Sequence, residues 1–420
     1  MTAHRPRFLT QRLLTAFLAL LLCSQSVFAE TNGDTHWITT WSASPQPTWE
    51  GDFALPTRTP FQFWNQTVRQ VTQVSLGGDR VRITVSNQYG DEPLVIGEAR
   101  LARSEGGARI VPALDRPVTF SGAQEITIPP GAKVVSDPVE LAVEAQASLA
   151  VSLYLPEPTP PSTFHWDGLH TTYVVQGNET AEPTIDAESP LTARFFLTRI
   201  AVDAPRGQGA VAAFGDSITN GNGSSLNANH RWPDFLTERL AGKDIAVINA
   251  GISGARLLSN RMGENALARF ERDVLAQPGV KSVIVLMGIN DIGWPGIPLA
   301  PNKEPVTADQ LIAAYRQLIA QAHMQDVRII GATLTPFKGA LDETPMVGYY
   351  SETKEKIRQA VNEWIRTSGE FDAVIDFDKA TRDPKDPQRF LPAYDSGDHL
   401  HPGDEGYRAM AEAIEIDKLL

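Results

Sequence analysis

The sequence predicts an α/β domain preceded by an all-β domain, and three observations carry that reading. Residues 35–205 run in short, strand-like segments split by turn signals, without long helical periodicity. Residues 206–420 switch to apolar strand-length runs alternating with longer segments of helical spacing. Strand, helix, strand in sequence implies a parallel sheet with right-handed crossovers.

In chain order, residues 1–29 read as a leader outside the fold. Arg5, Arg7 and Arg12 supply a basic start. The apolar run Leu13–Leu22 is shorter than the roughly 20 residues that span a bilayer. Val27-Phe28-Ala29 has the small-residue pattern of a cleavage site, so this is a secretory signal peptide. The mature chain is expected in the periplasm or the medium, without stable membrane insertion. Within 35–205, Val68–Leu76, the turn Gly77-Gly78-Asp79 and the alternating run Arg80–Ser86 read as a hairpin with one buried face. Gln124–Ile128, Glu140–Val143, Ser148–Leu155 and Thr171–Gln176 continue the pattern, which suggests a β-sandwich or jelly-roll-like domain. Pro156–Pro161 is a stiff surface loop.

From 206 on, strands are expected at Ala210–Phe214, Ile245–Asn249, Ser282–Met287, Arg328–Leu334 and Ala373–Asp376. Helices are expected at Asp234–Ala241, Thr307–Met324, Glu352–Ser368 and Gly406–Leu419. Pro233 suits a first helical turn, and Thr307 with Gln310 forms a capping box.

Composition narrows the function. Cys23 is the single cysteine and lies in the leader, so the mature chain has neither disulfide nor thiol nucleophile, and cysteine-based zinc sites are ruled out. The formal charge is −13, and it becomes −16 once Arg5, Arg7 and Arg12 leave with the leader. Such a surface disfavours nucleic acid or an anionic membrane as the main partner. The sequence sets no oligomeric state.

The apolar run Ala210–Phe214 stops at Gly215-Asp216-Ser217-Ile218. That puts Ser217 at the carboxyl end of a strand, where open α/β sheets bind ligands. Three later segments complete a pattern: Asn249-Ala-Gly251-Ile-Ser253-Gly254, Gly288-Ile-Asn290-Asp291, and Asp398-His399-Leu-His401-Pro402. These four blocks, in this order across about 190 residues, resemble the SGNH or GDSL-type serine hydrolase superfamily, named for one Ser, Gly, Asn and His from each block. The resemblance covers roughly 207–420. It implies a flavodoxin-like three-layer α/β/α domain and an esterase or lipase activity. In the first half, Trp37–Ser44, Gln66–Gln70 and Ser86-Asn87 resemble the β-domain of secreted GDSL-type arylesterases and carbohydrate esterases.

The resemblance assigns Ser217 as nucleophile and His401 as its base. A serine hydroxyl needs a base within hydrogen-bond reach, and imidazole is the side chain suited to neutral pH. Asp398, three residues before His401, can orient the ring and stabilise the imidazolium. The backbone N–H groups of Ser217 and Gly251 and the amide of Asn290 are assigned to the oxyanion hole. No Gly-x-Ser-x-Gly elbow exists, which disfavours a standard α/β-hydrolase. Asp216 reads as a helix cap, and Asp291 and Ser253 as structural. His399 is the alternative base. Asp395, Asp398, His399, His401 and Asp404 also admit a metal reading, but the hydrolase reading employs two of them, so neither metal nor cofactor is expected. Gly221–Ser225 lacks the ending of a phosphate-binding loop and reads as active-site rim. Trp232 and Trp294 read as core or loop packing ahead of cleft lining. The expected function is hydrolysis of short-chain esters on a carbohydrate or aryl alcohol, through an acyl-enzyme. The alternatives are a lipase or lysophospholipase acting on longer chains, acyl transfer between sugars, and a non-enzymatic glycan-binding protein.

Overall fold

The computed structural model describes Met1 and residues 35–49, 53, 55–187 and 190–420. Apart from Met1, the expected signal peptide lies outside the described residues. His36–Leu420 form one compact unit. Among the described residues, no helix is long and apolar enough to cross a membrane.

In the C-terminal half, strands β1 (Gly209–Gly215), β2 (Ile245–Gly251), β3 (Val280–Leu286), β4 (Arg328–Ala332) and β5 (Ala373–Ile375) form a parallel sheet in the order β2-β1-β3-β4-β5. This 2-1-3-4-5 order places the topological switch point beside β1. All seven residues of β1 are buried. Successive side chains on a strand point to opposite faces, so both faces of the sheet are covered. Helices α1 (Trp232–Arg239), α2 (Ala308–His323), α3 (Glu352–Thr367) and α4 (Asp404–Glu412) supply that cover, with α1 against α4 and α2 against α3. Pro233 sits in the first turn of α1, and Thr307 and Gln310 cap α2 reciprocally, as the sequence indicates.

Two corrections concern local structure. The helix expected over Gly406–Leu419 ends at Glu412 and gives way to a 3-10 turn at Ile416–Lys418. Arg239 of α1 donates to the carbonyls of Ala411 and Ile414, taking acceptors that another helical turn would have used. Val68–Leu76 and Arg80–Ser86 are not a hairpin. Gln66–Gln73 pairs with Ser148–Leu155 and Thr172–Gln176 in one antiparallel sheet. Gly78–Ser86 pairs with Leu197–Pro205 and Val139–Val143 in another. Both bury apolar side chains in one shared core, Val68 and Leu153 from the first sheet meeting Val81, Ile83 and Val85 from the second. The intervening turn therefore crosses between sheets. It is held there by Ser75 N–H on Thr40 O (3.0 Å) and Leu76 N–H on Thr40 Oγ1 (2.6 Å).

The same turn joins the two halves. Strand β2 is an edge strand, with backbone groups open to pairing. Ser75 Oγ accepts from Val247 N–H (3.0 Å) and Ser42 Oγ donates to Asn249 O (3.0 Å), so two hydroxyls from the β half cover that edge.

Candidate active site

Ser217 opens a four-residue helix, Ser217–Asn220, directly after β1. Asp216 caps it, its Oδ1 accepting from Ile218 N–H at 3.0 Å. The strand end itself is clamped. Arg269, fully buried, donates to the carbonyls of Gly215 (2.8 Å) and Ala250 (2.9 Å), pairs with Asp273 (3.0 Å) and stacks over Phe214. Its helix, Ala266–Phe270 running into a π turn over Glu271–Leu275, was not among the expected elements, although Ala266, Phe270 and Val274 recur at i, i+4 and i+8 on its buried face.

The loop before α4 brings His401 to Ser217. Ser217 Oγ donates to His401 Nε2 at 2.7 Å, and His401 Nδ1 donates to Asp398 Oδ2 at 2.6 Å. Only an Nδ1–H tautomer satisfies the carboxylate, and it leaves Nε2 free to accept. Asp398 Oδ1 also accepts the backbone N–H groups of Leu400 (2.9 Å) and His401 (2.8 Å), so one carboxylate fixes both ring and loop. Burial works against its charge. The hydrogen bond and charge of His401 and the two backbone donors outweigh that, and hold the Asp398 carboxyl well below the usual range. His399 turns away to Asp395 Oδ2 (2.5 Å). Asp404 accepts from His230 Nδ1 (2.7 Å) and from Ser225. The five residues of the metal reading are thus drawn to separate partners. Among the described residues, no group of three or more His, Cys, Asp or Glu is placed to hold a metal ion.

One oxyanion assignment needs correction. Gly251 is still in β2, its N–H donates to Asn249 Oδ1 (2.9 Å), and a Cβ there would stand 2.3 Å from Asn220 N. Its lack of a side chain lets the Ser217–Asn220 helix pack on the strand. It does not border the cavity beside Ser217; Gly254 does. Gly254 has φ +74 and a Cβ there would lie 2.4 Å from Met262 Sδ, so glycine is required on both counts. The available signal was position: Gly254 falls in the turn after the strand, where N–H groups are released from the ladder. Asn290 lies in the short helix Ile289–Gly293 after β3 and borders the same cavity. Its Oδ1 accepts from Trp294 Nε1 (3.1 Å) and Tyr349 OH (2.8 Å), and its Nδ2 donates to Ala255 O (3.0 Å). Two donors on Oδ1 fix the amide orientation, and Nδ2 keeps one more hydrogen for a ligand. Asp291 ties down the loop after Gly254 by accepting from Leu257 and Leu258 N–H, at 2.7 and 3.0 Å.

The cavity over Ser217 measures about 130 Å³. Its walls are mostly apolar: Trp294, Met262, Leu341 and Tyr349 come from the α/β half, Phe53 and Trp166 from the β half. Phe53 stacks on Trp294, with ring centroids 5.8 Å apart. Trp294 thus lines the cleft, whereas Trp232 is buried against Phe377. The contribution of Phe53 and Trp166 was invisible in sequence, since they reach the site only through the packing of the two halves.

Asp216 gives a pH-dependent prediction. Burial pushes its carboxyl from 3.8 up to about 7, and its Oδ2 has no hydrogen-bond partner among the described residues. The folded state therefore holds this proton more tightly than the unfolded chain. The stability so gained is complete below the unfolded value and lost as pH rises through about 7. Asp291, raised by burial to about 6, adds a loss of the same sign. Asp216→Asn is expected to bring the urea midpoints at about pH 5 and about pH 8 closer together than in the wild type. An unchanged gap would assign the slope elsewhere.

Residues 211–414 match the model of the GDSL-like Lipase/Acylhydrolase family. No curated protein matches the chain. Similar solved structures include an acetyl xylan esterase at 22% identity, covering 49% of this chain and 96% of that one with a TM-score of 0.36. A GDSL-like lipase from Bacteroides thetaiotaomicron shares 18% identity, covering 50% and 87%, with a TM-score of 0.36. A carbohydrate acetylesterase family member from Sinorhizobium meliloti shares 17%, covering 49% and 95%, with a TM-score of 0.37.

Proposed function

We propose that the GDSL-like lipase/acylhydrolase domain over residues 211–414, which makes this chain a carboxylic ester hydrolase, removes short acyl groups from carbohydrate or aryl esters. The observation that carries this reading is the Ser217–His401–Asp398 chain of hydrogen bonds, at 2.7 and 2.6 Å, opening onto a small apolar cavity.

His401 Nε2 takes the Ser217 proton as Oγ attacks the carbonyl carbon. The carbonyl electrons move to oxygen, and that oxyanion meets the N–H groups of Ser217 and Gly254 and the Asn290 amide. Asp398, held ionised, stabilises the imidazolium. Collapse of the intermediate expels the alcohol, which takes its proton from His401. Water, deprotonated by the same nitrogen, then attacks the acyl-Ser217 ester and releases the acid.

Cavity size supports the short-chain reading. The cavity's volume of about 130 Å³ lies below the roughly 300–1,000 Å³ of pockets that enclose a drug-sized ligand, which favours a short acyl group over a decanoyl chain. Trp166, half-buried at the same place, offers a ring to a sugar or aryl group, while Trp294 is covered by Phe53 and Arg256 and serves as wall. The basic start, apolar run and small-residue ending of residues 1–29 support export to the periplasm or the medium.

Acid release from a panel of acetyl to decanoyl esters and acetylated xylan tests this. Protein from Glu30 onward is expected to favour acetyl or butyryl over decanoyl esters by about tenfold or more in kcat/KM. A preference for decanoyl would move the reading to a lipase.

A further inference from the structure

Beyond the catalytic cavity the β half carries a second, larger opening that the ester chemistry does not use. Phe53 and Leu55 stand in the catalytic cavity. A few residues further along the chain, Arg58, Pro60 and Gln62 border a groove of about 630 Å³, whose other walls include Gln66, Gln176 and Asp186. One stretch of chain thus leads from the site of cleavage to this groove.

Two large aromatic side chains stand out of the same stretch, Phe61 at 92% exposure and Trp64 at 61%. Single exposed apolar residues are ordinary, but this pair is held on a rigid support. Phe63, between them, is fully buried against Phe195 and Phe196. Its N–H and C=O both pair with Thr159, each at 2.8 Å. Arg58 and Asn65 bracket the stretch with φ of +56 and +47, a conformation uncommon outside glycine. Asn65 is fixed there by Gly177 N–H (2.6 Å) and Gln176 Nε2 (2.8 Å) on its carbonyl, and by Tyr154 OH (2.7 Å) on its side chain. The backbone therefore displays the two rings as a fixed feature.

The groove's chemistry selects its ligand. Gln62 and Gln66 offer amides that both donate and accept, the pairing that hydroxyl groups need, and Gln176, whose Nε2 holds Asn65 O, adds its acceptor oxygen. Arg58 and Asp186 add one charge of each sign, so among the described residues the lining carries no net charge. Exposed aromatic faces suit the C–H faces of pyranose rings. We infer that this groove binds a neutral polysaccharide chain and holds it while an ester further along it occupies the catalytic cavity; the inference rests on the carbohydrate-ester reading above.

The test uses the Ser217→Ala protein, which leaves the polymer intact, run through native gels containing soluble xylan or glucomannan. Retardation is expected in at least one, and Phe61→Ala with Trp64→Ala is expected to weaken it by about tenfold. In the otherwise wild-type enzyme, the same pair should lower the ratio of kcat/KM on acetylated xylan to that on p-nitrophenyl acetate. Both side chains are exposed, so a thermal melt should report an intact fold. No retardation in either polymer overturns the inference, as does retardation that the two substitutions leave unchanged, or capture by phosphatidylcholine vesicles in place of the polymers. Failure of the esterase reading is seen separately, as wild-type protein that releases no acid from p-nitrophenyl acetate.

Discussion

Ser217→Ala will lower kcat on a short-chain ester by roughly 10⁴–10⁶-fold, with the fold intact. The size of the loss follows from what the hydroxyl does. Ser217 Oγ forms the acyl bond, and its 2.7 Å hydrogen bond to His401 Nε2 is the route by which its proton leaves. Without it no acyl-enzyme forms, and water must attack the ester directly, helped only by His401 and the oxyanion donors. The structural cost is small by comparison. Ser217 is the first residue of a helix whose cap is Asp216, so alanine at 217 keeps the capping bond to Ile218 N–H. A stability change of no more than about 1 kcal/mol is expected, checked by urea unfolding beside the rate. Retention of more than a few per cent of wild-type kcat would remove Ser217 from the nucleophile's role.

What the sequence could and could not show divides along physical lines. The parallel strands were legible because burial on both faces leaves an unbroken apolar run, as in Ala210–Phe214. The Asp398–His401 pair was legible because both groups lie on one loop, so spacing nearly determines contact. The resemblance assigns Gly251 because a motif names residue types, while the outcome depends on where the strand releases its N–H groups. In the structure that release comes after Gly251, whose own N–H is taken by Asn249. The false hairpin has a similar origin. Alternation along Arg80–Ser86 reports one buried face, but it does not say which partner lies beside the strand. Residues brought to the site by long-range packing left no local signal. Trp166, Phe53 and Arg269 act through neighbours distant in sequence, and only the docking of the two halves, stitched by Ser42 and Ser75 onto β2, puts the first two beside Ser217.

The second large effect is expected at Asn290, where the chemical role must be separated from a structural one. Asn290→Ala should lower kcat by about 10²–10³-fold, the usual result of losing one oxyanion donor, with a smaller change in KM. That substitution also strips Trp294 Nε1 and Tyr349 OH of their shared acceptor and Ala255 O of a donor. Each buried group left unpaired costs about 1–3 kcal/mol, so lost activity could follow from a loosened cavity wall. Asn290→Asp discriminates. A carboxylate still accepts from Trp294 and Tyr349, so it keeps those two contacts; it gives up the donor to Ala255 O, has no N–H to offer and brings negative charge towards the developing oxyanion. If the amide acts as an oxyanion donor, the aspartate variant will be at least as slow as the alanine variant, although it keeps the acceptor for Trp294 and Tyr349. If the residue serves only to hold Trp294 and Tyr349, the aspartate variant will recover most of the wild-type rate. The two roles thus predict opposite orders of activity for the same pair of proteins.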